Sequence, residues 1–121
     1  MISTSSFDQS NFVGRDVLER AGIAVVDNPH RARLSEDQIA ALLGTDAVGL
    51  IAGLEPLTRR VLDAATGLRV IARVGTGTDS VDLAAAADRG IRVLTTPDAP
   101  TEAVAELTLA HVLGLLRHVA A

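Results

Sequence analysis

The stretch of residues 73–77 reads RVGTG and has the residue types of an anion-binding loop. It follows an apolar run at 68–72 and precedes an alanine-rich segment. Two glycines separated by one residue allow backbone N–H groups to point into a shallow concavity that attracts negative charge. The arginine adds a fixed positive charge in a fork that suits a carboxylate. The pattern predicts a site for a small organic acid, with substrate-binding residues Arg73, Val74, Gly75, Thr76 and Gly77.

The same two glycines are compatible with two other interpretations. A dinucleotide site is favoured because Gly75 and Gly77 stand between a strand and a helix, with Asp98 about 20 residues further on. Against it, the third glycine of that fingerprint would fall at Ser80, and Asp98 lies in a loop flanked by prolines. The other alternative is a tight strand-to-helix turn that needs glycine only for its backbone dihedral angles.

The composition excludes several classes of function. The chain has 121 residues, about the size of one domain. Cysteine is absent, which excludes thiol nucleophiles, disulfides and cysteine-based metal centres. All 11 basic residues are arginine, so no lysine can form a Schiff base or serve a phosphate-binding loop. A net charge of −4 and only two aromatic residues, Phe7 and Phe12, argue against a nucleic-acid partner.

Signals for metal binding, membrane insertion and secretion are also missing from the sequence. His111 and His118 share one predicted helix but lack a third ligand, so no metal site is predicted. The chain has no uninterrupted apolar run of the ~20 residues that a membrane span needs. Its first residues have neither the basic start nor the apolar stretch of a signal peptide. We therefore expect a soluble, cytoplasmic protein that does not contact membranes.

Short apolar runs alternate along the chain with helical patterns, which is typical of an α/β protein with a parallel sheet. Strands are predicted at 2–5, 23–26, 47–51, 68–72 and 91–94, and helices at 13–21, 35–43, 58–65, 81–88 and 101–119. We expect Ser35 and Thr58 to cap the second and third helices, and Asp79 or Ser80 to cap the fourth.

Five strands with intervening helices predict a flavodoxin-like, doubly wound, parallel five-stranded sheet. Ligands bind such sheets beyond the carboxyl ends of the strands. The loops expected at that edge are 5–7, 52–55, 73–78 and 95–100.

The last predicted helix is apolar on most of its sides. Leu109, Val112, Leu113, Leu116 and Val119 share one broad face, and polar residues are scattered without forming a solvent-facing stripe. A helix of this kind is normally buried on most sides, whereas one small domain can cover only one of its faces. We therefore expect a homo-oligomer through the helix Thr101–Val119 if the chain exists alone.

From residue 47 onward the sequence resembles the D-2-hydroxyacid dehydrogenase family, in its N-terminal, substrate-binding part. The stretches that carry the resemblance are GLIAGLEPLTRRVLDAA, LRVIARVGTGTDSVDLAAAADRGIRVLTTP and AVAELTLAHVLGLLRH. Within the family the chain is most similar to the phosphoglycerate dehydrogenase-like members.

The resemblance implies roles for individual residues. The family loop that matches residues 73–77 lies in a cleft between two domains and holds the substrate carboxylate. Thr76 matches a position close to the nicotinamide cofactor, which implies NAD in the full-length family. Gly53 or Leu54 matches the place of a substrate-binding arginine in some members, and Pro100 stands where others have asparagine. The substrate is therefore left open as a small 2-hydroxy or 2-keto acid.

Two functional hypotheses follow from the resemblance. In the first, 1–100 is a substrate-binding domain and 101–121 is an interdomain helix that leads into an absent nucleotide-binding domain. This truncated or fragmentary chain would carry no catalytic residue and would neither bind NAD nor transfer hydride by itself. In the second, the chain is a stand-alone, non-catalytic ligand-binding or assembly module derived from the family.

Overall fold

The structure, a computed structural model, describes residues 1–4 and 13–119. The predicted loop at 5–7 lies outside the described residues. In the described part, five helices and three strands follow one another along the chain. They are α1 (Val13–Arg20), α2 (Glu36–Leu43), β1 (Gly49–Ala52), α3 (Arg59–Ala64), β2 (Val70–Arg73), α4 (Leu83–Asp88), β3 (Arg92–Leu94) and α5 (Thr101–Leu116).

The three strands form one parallel sheet in the order β1-β2-β3. Leu50 of β1 is in register with Ile71 of β2, which is in register with Val93 of β3. The prediction of an α/β protein with a parallel sheet is therefore confirmed, because parallel strands alternate with helices along the chain.

The prediction of five strands is not confirmed by the described residues. The two N-terminal segments predicted as strands join the sheet through single parallel bridges, in which Ile2 pairs with Asp27 on one side and Ile51 on the other. The backbone N–H of Ile2 donates to the carbonyl of Val26 at 2.8 Å. The N–H of Ile23 donates back to the carbonyl of Leu18, and the segment 23–26 forms no longer ladder with the described residues.

Apolar residues alternate along the strands and place the core on one face of the sheet. Leu50 and Ile71 point into this core, where they are 1% and 0% exposed. Helices α2, α3 and α4 cover the same face with buried side chains that include Ile39, Val61 and Ala85. This packing fixes the strands relative to one another and thereby the loops at their carboxyl ends.

Local hydrogen bonds set the starts of the helices. Ser35 and Gln38 form the predicted capping box of α2, and the hydroxyl of Thr58 accepts from the N–H of Val61 at the start of α3. The expectation that Asp79 or Ser80 caps α4 was wrong, because Asp82 is the capping residue.

The reason for the later start of α4 is a parallel bridge between Leu57 and Val81. The N–H of Leu57 donates to the carbonyl of Ser80 at 2.7 Å, and the N–H of Asp82 donates to the carbonyl of Leu57 at 2.9 Å. These bonds keep residues 80–82 extended, so the helix begins only at Leu83.

Two apolar surfaces are left open. The face of the sheet opposite the core carries the half-buried residues Ile51 and Val70 and borders an apolar groove of about 930 Å³, partly lined by α1. Helix α5 contacts no other helix or strand of the described chain, and none of its side chains is buried. It is also three residues shorter at its end than the predicted 101–119. No helix among the described residues combines the length and apolar character that crossing a bilayer requires.

Candidate functional site

The carboxyl ends of the three parallel strands bring three loops to one edge of the sheet. Strand β1 ends at Ala52, β2 at Arg73 and β3 at Leu94. The N–H of Val74 donates to the carbonyl of Ala52 at 2.8 Å, which ties the loop after β2 to the end of β1. The predicted site at 73–77 and the predicted Gly53 therefore lie at the same edge.

The backbone N–H groups of the loop 73–77 fall into two sets. Those of Val74 and Gly75 are used inside the protein, the first by Ala52 and the second by the hydroxyl of Thr96 at 2.9 Å. Those of Thr76 and Gly77 donate to no other residue in the part of the chain that the structure describes, and both residues are exposed. The donors available to an anion are thus the amides of Thr76 and Gly77.

Arg73 lies half-buried beside these donors, and its side chain folds over Gly75. Nη1 donates to the carbonyl oxygen of Val74, and Nε is buried without a partner among the described residues. None of the ion pairs found in the described chain includes Arg73. Its positive charge therefore has no neighbouring carboxylate from the described residues to neutralise it.

Glycine is favoured at residue 75 by its backbone conformation, because its φ of +139° lies in the region that side chains disfavour. A Cβ there would also overlap Nη1 of Arg73, but this is the flexible end of a long side chain and can move. The backbone of residue 75 thus makes room for the guanidinium of Arg73. At Gly77 a Cβ would meet only the carboxylate end of Asp79 at 3.1 Å.

Gly53 is buried at this edge, and its amide is engaged. Its N–H donates to Oε1 of Glu55 at 2.8 Å, and the hydroxyl of Ser3 donates to the same oxygen. A Cβ on Gly53 would lie 3.2 Å from Cα of Thr4, so the residue marks a close approach of two backbone segments. Gly53 therefore shapes the edge through its backbone and does not present a donor to solvent.

Glu55 was missed by the sequence reasoning. It is 1% exposed, although a glutamate three residues after a strand is usually solvated. The available signal was its place between apolar residues in the stretch GLEPL, where the neighbouring Leu57 is fully buried. That signal alone does not show that Ser3, far away in sequence, supplies a partner.

Residues 7–117 match the family model described as "D-isomer specific 2-hydroxyacid dehydrogenase, catalytic domain". The match covers most of the chain. The chain belongs to the D-isomer specific 2-hydroxyacid dehydrogenase family. The resemblance found in the residues from 47 onward is thereby confirmed, and this family is one of NAD-dependent enzymes.

Relatives of known name agree with this assignment. The chain is 39% identical over 106 residues to D-3-phosphoglycerate dehydrogenase from Sus scrofa, which is 87% of this chain and 19% of the relative. D-lactate dehydrogenase from Escherichia coli is similar in structure with a TM-score of 0.67 and 26% identity, over 87% of this chain and 33% of that one. A cofactor(NAD+)-bound 3-phosphoglycerate dehydrogenase from Entamoeba histolytica shares the fold, with a TM-score of 0.76 and 24% identity. The match covers 93% of this chain and 37% of that one. The chain thus spans about a fifth of the first relative and about a third of these solved chains.

The described residues of this family member do not form a cradle for the pyrophosphate of NAD. Ser80 replaces the third glycine of the dinucleotide fingerprint, and α4 has only six residues. The carboxylate of Asp82 caps α4 by accepting from the N–H of Ala85 at 2.8 Å, which puts a negative charge where a phosphate would have to lie. Thr76, which the resemblance places near the nicotinamide, is exposed. Among the residues described there is also no group of three His, Cys, Asp or Glu side chains that could bind a metal.

Proposed function

We propose that this chain supplies the substrate-binding portion of an NAD-dependent, phosphoglycerate dehydrogenase-like D-2-hydroxyacid dehydrogenase. Its ligand is the carboxylate of a small 2-hydroxy or 2-keto acid, bound at the loop 73–77. One observation carries the proposal: the free N–H groups of Thr76 and Gly77 lie next to an arginine that has no ion-pair partner among the described residues.

The physical basis is the match between these donors and a carboxylate. Hydrogen bonds to an ionised acceptor are about twice as strong as neutral ones, and two backbone donors fixed in one loop lose little entropy on binding. The charge of Arg73 favours the ionised acid at close range. In this proposal Val74, Gly75 and Gly53 form the backbone wall that holds the two donors in place.

In the whole enzyme, NAD would accept or donate the hydride. Thr76 is the residue of this chain that we place next to the nicotinamide, and the resemblance assigns the rest of the NAD site to a nucleotide-binding domain. We expect neither NAD binding nor hydride transfer from residues 1–121 alone. From the sequence features given above, we also propose a cytoplasmic location.

Binding can be tested residue by residue with ¹⁵N-labelled chain and amide chemical shifts. D-glycerate and pyruvate should each produce saturable shifts at Thr76 and Gly77, and the uncharged control lactamide should not. Arg73→Met, which keeps the length of the stem without the charge, should weaken the response about tenfold, as expected for a lost charge-assisted hydrogen bond. Equal responses to lactamide and to the acids, or none at either residue, would refute the proposal.

A second function is favoured by one other observation, the isolation of α5. The residues Leu109, Leu113 and Leu116 are 63%, 59% and 70% exposed, and α5 contacts no other helix or strand of the described chain. Exposure of these large apolar side chains to solvent is unfavourable, and a second copy of the helix would cover them. The alternative is therefore an assembly module that forms a homo-oligomer through Thr101–Val119 without catalysis.

Sedimentation velocity separates the assembly module from a monomer. The wild-type chain should sediment as a dimer or larger at micromolar concentration, and Leu109→Glu should shift it to a monomer. His111→Glu, within the same helix but on the side opposite the shared apolar face, is the matched control and should leave the association intact. A monomeric wild-type chain at that concentration would exclude the assembly function.

A further inference from the structure

Thr96 and Gly75 exchange two hydrogen bonds across the carboxyl edge of the sheet. The N–H of Gly75 donates to Oγ1 of Thr96 at 2.9 Å, and the N–H of Thr96 donates to the carbonyl oxygen of Gly75 at 3.0 Å. The regular pairing of β2 with β3 ends before this pair, at Ala72 and Leu94. The pair of hydrogen bonds therefore continues the contact between the two strands into their loops. One of the two bonds depends on the side chain of Thr96.

The bond to Thr96 replaces a backbone acceptor that Gly75 does not have. With φ at +139°, the backbone of Gly75 leaves the strand conformation, and its N–H points to the side of β3, where it meets the hydroxyl of Thr96. Among the described residues the hydroxyl of Thr96 is the acceptor that this N–H uses. On the other side, the N–H of Val74 is held by the carbonyl of Ala52 at 2.8 Å.

The N–H groups of Val74 and Gly75 are thus held on opposite sides of the loop, one at the end of β1 and the other in the loop after β3. They directly precede the free N–H groups of Thr76 and Gly77. The N–H of Gly75 belongs to the peptide plane that precedes its Cα, and its C=O shares the following plane with the N–H of Thr76. Because Thr96 bonds one group in each of these planes, both planes are held, and the direction of the Thr76 N–H is constrained as well. Thr76 and Gly77 are exposed, and no hydrogen bond of their own amides contributes to this constraint.

We propose that Thr96 is a positioning residue of the carboxylate site. Its hydroxyl orients Gly75 so that the N–H groups of Thr76 and Gly77 converge on the bound acid before the acid arrives. Donors that are already ordered lose less conformational entropy on binding, and the affinity rises accordingly. The inference rests on the proposed function of the loop, and Thr96 acts through Gly75 without touching the ligand.

The test compares two substitutions of the full chain. Thr96→Val keeps the shape and removes the acceptor, whereas Thr96→Ser keeps the hydroxyl. With D-glycerate as the probe and amide shifts as the readout, Thr96→Val should bind about tenfold more weakly, the equivalent of one lost hydrogen bond, and Thr96→Ser should stay within about twofold of the wild type. If Thr96→Val does not give a native circular dichroism spectrum, Thr96→Ala takes its place.

A second readout, without ligand, separates positioning from direct contact. Amide order parameters and hydrogen exchange at Gly75 and Thr76 should show more motion in Thr96→Val than in the wild type and in Thr96→Ser. Weaker binding with unchanged motion would overturn the inference, because Thr96 would then contact the acid itself. Equal affinities of Thr96→Val and the wild type would also overturn it, as would an equal loss in Thr96→Ser. A wild-type chain that does not respond to D-glycerate would instead refute the proposed function of the loop.

Discussion

The carboxylate of Glu55 accepts a hydrogen bond from the backbone N–H of Gly53 at 2.8 Å, in a position where Glu55 is 1% exposed. The same oxygen accepts from the hydroxyl of Ser3, which belongs to the N-terminal segment. An ionised group inside a protein is tolerated when such donors replace water. Glu55 thus joins the loop after β1 to the N-terminal segment at the edge where the candidate site lies.

Substitution of Glu55 should destabilise the protein according to how many donors lose their acceptor. In Glu55→Ala the buried N–H of Gly53 loses its acceptor, at a cost of about 1–3 kcal/mol, whereas the hydroxyl of Ser3 can still donate to the carbonyl of Ile51 at 3.1 Å. Glu55→Gln keeps one acceptor oxygen, so its loss should be the smaller of the two. Urea denaturation measures the free energies of unfolding. A Glu55→Ala chain as stable as the wild type would show that water, and not Glu55, satisfies the N–H of Gly53.

Features that depend on neighbours in the sequence could be predicted. The capping box of Ser35 and Gln38 and the cap at Thr58 are encoded within four residues of chain, and both are present. The alternation of apolar residues likewise gave the three strands and the buried face of the sheet, since side-chain direction in a strand has a period of two.

Features that depend on distant partners could not be predicted. Whether an amide of the loop 73–77 is free or engaged depends on Thr96, which lies 21 residues beyond Gly75. The start of α4 at Leu83 depends in the same way on the bridge between Leu57 and Val81, which no local sequence pattern predicts. The sequence therefore predicted a candidate site and its chemistry, whereas the N–H groups of this loop that have no partner among the described residues could be identified only from the fold.

Gly75→Ala should disrupt the site while Gly77→Ala should not. The alanine side chain at 75 would overlap the guanidinium of Arg73 and would have to adopt φ near +139°. A non-glycine residue in a sparsely populated backbone region costs on the order of 1–3 kcal/mol. At 77 the new methyl group meets only the flexible end of Asp79 at 3.1 Å. Thermal unfolding should give a lower Tm for Gly75→Ala than for Gly77→Ala, and equal values would contradict the preference for glycine at 75.

The stability of the chain should fall in acid partly through Glu36. Hydrogen bonds from Arg60 and then from Thr58 hold the pKa of Glu36 below its ordinary value of 4.5. Because the pKa is lower in the folded than in the unfolded chain, the stabilisation is present above the ordinary value and is lost as the pH falls through the folded value. This pair links α2 to α3, and Nε of Arg60 lies 3.0 Å from Oε1 of Glu36.

The urea midpoint, measured from about pH 7 to about pH 3, reports this loss. The difference between the wild type and Glu36→Gln should shrink as the pH decreases, and added salt should reduce it because the pair is exposed. Asp98→Asn is the control, since Asp98 forms no ion pair among the described residues, and it should not reproduce the effect. A pH-independent difference for Glu36→Gln would contradict the assigned cause.

Two leucine-to-alanine substitutions should separate the core from the α5 surface. Leu62 is 0% exposed between the sheet and the helices, and its truncation should cost about 2–5 kcal/mol at any protein concentration. Leu113 is 59% exposed, so its truncation in a monomer should change the stability by less than about 0.5 kcal/mol. If α5 is the surface of a homo-oligomer, association adds stability by mass action and the Tm of the wild type rises with concentration. Leu113→Ala should weaken that dependence while Leu62→Ala keeps it, and a wild-type Tm that does not change over a hundredfold dilution would contradict association through α5.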